Sequence, residues 1–142
     1  MSRISLQQAN AVIEGVFAQG QAAGFKPLSA AVVDAGGHLI AFQRGDGASF
    51  ARAQVATGKA AGALAMGVSS RKLGDMAQER PWFIGAFAAS APHAVIPAAG
   101  GVIIVDDEGV AIGAVGVTGD TSDNDEAAAL AGLAAAGLKA QG

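Results

Sequence analysis

The segment Ala30–Lys59, AAVVDAGGHLIAFQRGDGASFARAQVATGK, constrains the fold more than any other part of this chain. Apolar runs flank Asp34-Ala35-Gly36-Gly37, the pattern of a β-hairpin closed by a glycine turn. The second run ends in Gln43-Arg44-Gly45-Asp46-Gly47, which is too polar and glycine-rich for a core. Ser49 then has the chemistry of an N-cap for the alanine-rich helix that follows. A hairpin followed directly by such a helix calls for a sheet with helices packed on it.

The unit recurs. Val33-Asp34-Ala35-Gly36-Gly37-His38-Leu39-Ile40 can be laid over Val105-Asp106-Asp107-Glu108-Gly109-Val110-Ala111-Ile112, with Val, Asp, the last turn Gly and Ile in common. Each copy runs through a Gly/Asp loop into a Ser-capped, Ala-rich helix. Two such units predict one antiparallel sheet covered by helices.

The other elements follow from spacing. Ser5 and Gln8 form a capping box for a helix over Ser5–Gln21, and Gly24 closes it. Strands are expected over Leu28–Val33, His38–Gln43, Val102–Val105 and Val110–Val117. The helix Phe50–Met66 carries Gly58 and Gly62 one turn apart, so a second backbone or a planar ligand is expected against that face. Ser69 or Ser70 caps a short helix to Gln78, and Glu79-Arg80-Pro81 stops it. Trp82–Ala89 adds a helical turn or two, Ser90–Gly101 is a loop, and His93–Ile96 is a brief edge strand. Ser122 and Asp125, at capping-box spacing, open a last helix to Lys139.

A chain of 142 residues without an internal linker is expected to form one domain over 1–142. It is 51% apolar, but with so much Ala and Gly that packing must rely on close backbone approach. A formal charge of −3 without a Lys/Arg cluster argues against a nucleic-acid partner. No apolar run is long enough to span a bilayer, so no membrane partner is expected. The first residues lack the zones of a signal peptide, and a cytoplasmic location is expected. The absence of cysteine removes disulfides and thiol catalysis.

The hairpin VVDAGGHLIAFQRGDGA, the helix Ser49–Ala65 with Lys59, the turn Gly100-Gly101-Val102, and Ile112–Gly119 followed by Asp125-Glu126-Ala127 together resemble one family. It is the GlcG/HbpS-like or haem-degrading domain family, which includes the C-terminal domain of PduO-type corrinoid adenosyltransferases. The resemblance covers nearly the whole chain, in order and spacing. It implies an α/β (α+β), profilin-like sandwich, with a central antiparallel sheet of about five strands flanked by helices. It also implies homo-oligomers and links to haem or to small-molecule catabolism. The chain departs from the family pattern at Val102-Ile103, at Asp123-Asn124-Asp125 and in the bulky Arg80-Pro81-Trp82-Phe83.

Several residues are candidates for a site. Lys59 matches the family lysine; it either snorkels to solvent, binds an acid group or acts as an amine base or nucleophile. Arg44 suits a bidentate grip on a carboxylate, and Asp46 either pairs with it or joins the ligand. His93 is the better of the two histidines for a general base or haem ligand. Trp82 and Phe83, with Phe87, offer an apolar slot, and Gly100 and Gly101 let a ligand meet bare N–H groups. Asp120, Asp123, Asp125 and Glu126 sit where acids serve a helix N-terminus, with oxygen ligation of Mg or Ca as the alternative; no metal site is assigned.

Three functions fit these residues. One is binding of haem or a related tetrapyrrole. The second is cofactor-independent catalysis on an organic or aromatic acid. The third is an accessory, assembly-forming role. A small acidic ligand and self-association are the expected partners.

Overall fold

In the computed structural model, which describes residues 3–142, five helices and five strands follow one another. They are α1 (Leu6–Ala23), β1 (Ser29–Asp34), β2 (Leu39–Arg44), α2 (Arg52–Met66), α3 (Ser70–Glu79), α4 (Pro81–Ser90), β3 (Gly101–Val105), β4 (Ala111–Thr118), α5 (Ser122–Ala135) and β5 (Lys139–Ala140). The strands make one antiparallel sheet in the order β2-β1-β4-β3-β5. No helix among the described residues is long and apolar enough to cross a membrane.

The two hairpins repeat in detail. Asp34 Oδ1 accepts the N–H groups of Gly36 and His38, and Asp106 Oδ1 accepts those of Glu108 and Val110. Gly37 and Gly109 both take φ 83°, a left-handed conformation that costs glycine nothing. Each ladder also shifts register at the equivalent step, Val32/Val33 and Ile104/Val105. The second hairpin is thus the first displaced by two strand positions. The helices do not follow the repeat, because α2 and α5 cover opposite faces.

On one face, α1 and α5 bury Val12, Ile13, Val16 and Leu133 against Val32, Ile104, Val115 and Val117. On the other, Ala60 and Ala63 of α2 meet Val33, Ala114, Ile103 and Val105. Small residues let the layers close up. A Cβ on Gly116 would collide with the carbonyl of Ala56, and one on Gly101 with that of Lys59. Alanine on the helix and glycine on the strands thus set the spacing between α2 and the sheet.

Four expectations need correction. Ser49 does not cap α2; the cap position is Ala51, without a side-chain hydrogen bond, because a turn intervenes. Pro81 does not merely stop α3. It opens α4 from the N1 position, where its missing N–H costs nothing. His93–Ile96 is irregular rather than a strand. The cap of α5 is Thr121, whose side chain accepts the Asn124 N–H, and this helix ends at Ala135, so that Lys139–Ala140 can join the sheet beside β3.

Candidate functional site

Lys59 enters α2 on its inner face and is 3% exposed. Its side chain runs over Gly100, where a Cβ would stand 2.9 Å from Nζ and 3.0 Å from Cδ. Gly100, at φ 131°, therefore supplies both the turn and the passage. At the far end, Nζ donates to the Val117 carbonyl at 2.9 Å and to Asp125 Oδ2 at 3.1 Å. Asp125 is 2% exposed, and its other oxygen accepts the Asp120 N–H at 2.9 Å. A buried ion pair thus passes around the end of the sheet and ties α2 on one face to α5 on the other.

Burial is the dominant influence on both charges. It pushes Lys59 below the usual lysine range, against the pull of Asp125, and the charge of Arg52 adds to the depression. It pushes Asp125 up, against the Asp120 N–H and Lys59. Around the pair, Ser70 Oγ accepts the Gly101 N–H at 2.7 Å, and Arg52 Nη1 donates to Thr118 Oγ1 at 2.6 Å.

The remaining acids near α5 already have partners. Asp120 accepts the N–H of Lys26 at 2.7 Å, the Asn124 side chain at 2.7 Å and the N–H of Thr121 at 2.8 Å, which lowers its pKa to about 2. Arg71 holds Asp123 at 2.5 Å and both oxygens of Glu126 at 3.1 Å. Asp125, expected as a capping-box acid, instead serves Lys59 and the Asp120 N–H. Among the described residues, no group of three or more His, Cys, Asp or Glu side chains is placed to hold a metal ion.

The sequence candidates therefore fall into three places. Lys59, Gly100 and Gly101 meet at the end of the sheet. Arg44 and Asp46 line a separate groove of about 560 Å³ with Phe17, Phe25, Lys26 and Pro27; Lys59, Gly100, Gly101 and His93 are not part of it. Trp82 and Phe83 lie on α4, with His93 three residues beyond its last residue.

The α4 surface is unusual. Its sequence PWFIGAFAAS has no charge, yet only Ile84 is buried, and Trp82 is 71% exposed. Trp82 and Phe83 meet edge to face at 6.2 Å, and the Arg80 guanidinium lies 4.8 Å from the Phe83 ring centroid. His93 is half-buried, and its Nδ1 lies 2.9 Å from the Ala94 carbonyl. Nε2 makes no hydrogen bond among the described residues. Residues 94–96 are seated on α2. A Cβ at Gly58 would stand 2.7 Å from Ile96 Cγ1, and one at Gly62 3.2 Å from Val95 Cγ1. The close approach expected at these glycines is thus made by a neighbouring segment of the chain.

Haem needs an apolar wall, a cation for a propionate and a nitrogen or sulfur donor for iron. Trp82, Phe83 and Arg80 offer an apolar wall and a cation at the N-terminal end of α4, and His93, beyond the other end of that helix, offers an imidazole nitrogen on a ring oriented by a backbone carbonyl. The groove at Arg44 has no His, Cys, Met or Tyr in its lining and does not fit an iron centre. Sequence reasoning missed Phe17, Phe25 and Lys26; the signal was a Gly24-closed helix followed by Phe-Lys-Pro, which folds that segment beside Arg44.

A family model described as haem degrading protein HbpS-like matches residues 4–134. No curated protein matches. Among solved structures, a double mutant of HbpS from Streptomyces reticuli is 27% identical over 94% of this chain and 87% of that chain, with a TM-score of 0.80. PduOC, in a crystal structure of its haem complex, is 22% identical over 99% of this chain and 100% of that chain, with a TM-score of 0.86. The protein ORFY of Klebsiella pneumoniae is 24% identical over 96% and 93% of the two chains, with a TM-score of 0.85. The latter two likenesses are of fold.

Proposed function

Since the chain belongs to the HbpS-like family, described as haem-degrading proteins, we propose that it binds haem or a related tetrapyrrole against α4, with His93 Nε2 as the iron ligand. The observation that carries this reading is the His93 ring. Its Nδ1 faces the Ala94 carbonyl, so Nδ1 keeps the proton and Nε2 presents its lone pair. Trp82 and Phe83 offer the ring system an apolar wall, and Arg80 meets a propionate. Haem supplies, when bound, a redox-active iron centre that takes small ligands.

Lys59 acts in this reading as a positioning residue. It neighbours Gly58, on which Ala94 and Ile96 rest, and its pair with Asp125 fixes α2 against the sheet. Gly100 and Gly101 give that brace its room. The exposed Phe50 also favours self-association, which light scattering tests; a monomer at micromolar concentration contradicts it.

Titration of the purified protein with hemin tests the function. A saturable Soret shift at a fixed stoichiometry is expected. A shift that grows without saturation, as for hemin adsorbed on any apolar surface, overturns the proposal.

A further inference from the structure

The groove at the end of β2 is separate from the α4 surface and has a different chemistry. Phe17 and Phe25 are half-buried and, with the exposed Pro27, supply the apolar part of an otherwise polar lining. Lys26 and Arg44 are exposed at its edge, and neither forms an ion pair among the described residues. Asp46 is the only acid in the lining and is exposed as well. The volume of about 560 Å³ falls in the range of small-molecule sites, about 300–1,000 Å³.

We infer that this groove is a second binding site, for a small monocarboxylic acid with an apolar, preferably aromatic, body. Lys26 stands beside Asp120, whose carboxylate accepts the Lys26 N–H, but Arg44 forms no ion pair among the described residues, and its free guanidinium favours an anion over a cation. A guanidinium presents a planar fork that takes a carboxylate by two parallel hydrogen bonds. Phe17 and Phe25 give the apolar body partial cover on one side. The proposal stands independently of haem binding, because none of the groove residues lies on α4 or in the His93 segment.

The test uses phenylacetate as probe and 2-phenylethanol as its uncharged counterpart, followed by amide chemical shifts and calorimetry on the full chain. Saturable phenylacetate binding is expected, with the largest shifts at Phe17, Phe25 and Arg44. Binding of 2-phenylethanol is expected to be weaker by about tenfold or more. Arg44→Gln and Lys26→Gln each weaken phenylacetate binding, and Asp46→Asn tightens it. Lys139→Gln removes the same charge at the opposite edge of the sheet and leaves binding unchanged. The proposal is overturned if millimolar phenylacetate gives no saturable shifts at the groove. Equal binding of both probes, or phenylacetate affinity unchanged in the Arg44→Gln/Lys26→Gln double variant, also overturns it.

Discussion

Lys59→Met removes the buried ammonium and leaves Asp125, 2% exposed, without its counter-charge. Breaking one side of a buried pair costs about 3–5 kcal/mol, a large part of the roughly 5–15 kcal/mol that stabilises a domain. The Val117 carbonyl also loses its donor, so the upper half of that range is expected. Lys59→Met/Asp125→Asn removes both charges but keeps an oxygen for the Asp120 N–H. The double variant should therefore be more stable than the sum of the single effects predicts, by about 0.5–3 kcal/mol of coupling. Urea unfolding at pH 7 with an unchanged m-value gives these numbers directly. The pH dependence supplies a sign. Burial raises Asp125 above its ordinary value of 3.8, so the folded state holds a proton that the unfolded state releases. Its contribution is present below 3.8 and is lost as pH rises through the folded value. Without Lys59 that value rises further, so the deficit of Lys59→Met shrinks on acidification. A cost below about 1 kcal/mol, or a double variant equal to the sum of the singles, refutes the buried-brace reasoning.

Thr121→Ala is expected to cost about 0.5–2 kcal/mol in thermal or urea unfolding, whereas Ser122→Ala stays within about 0.5 kcal/mol, because the Asn124 N–H is capped by Thr121. Gly58→Ala places a Cβ 2.7 Å from Ile96 Cγ1 and is expected to cost about 1–3 kcal/mol, with shifts in residues 94–96 on amide spectra. Asp120 is held at about 2 against an ordinary 3.8, so its contribution is present above 3.8 and is lost as pH falls through about 2. A carboxyl NMR titration of Asp120 with its midpoint near 2 checks this, and a midpoint at the ordinary value contradicts it.

Local rules made much of the fold legible. Ser5 and Gln8 form the capping box that their spacing predicts, and Gly24 and Gly67 close their helices. The hairpin repeat was visible because Asp and Gly fix a turn within five residues. What escaped depends on distant partners. Lys59 and Asp125 are 66 positions apart, and no spacing rule links an ammonium on one face of a sheet to a helix on the other. The acidic start of α5 looked like a cap cluster, since a helix N-terminus attracts acids whatever else they do. Two-residue β5 has no periodicity to detect and exists only because Lys139 and Ala140 find β3. Arg44 and Lys59 shared a charge type and a strand–helix unit, but the turn before α2 and the side chain's path over Gly100 send them to different places.

The central claim is that His93 carries the iron ligand, and imidazole rescue of His93→Gly tests it most directly. Hemin is titrated into wild-type protein and into the variant, with and without free imidazole, and the Soret band is followed. The account predicts a saturable band for wild type and a loss of affinity of about tenfold or more in His93→Gly. Added imidazole should restore the wild-type spectrum, because the cavity left by the side chain admits the same donor. A variant that binds hemin with unchanged affinity and spectrum, and takes no account of imidazole, contradicts the claim and places the iron ligand on another residue.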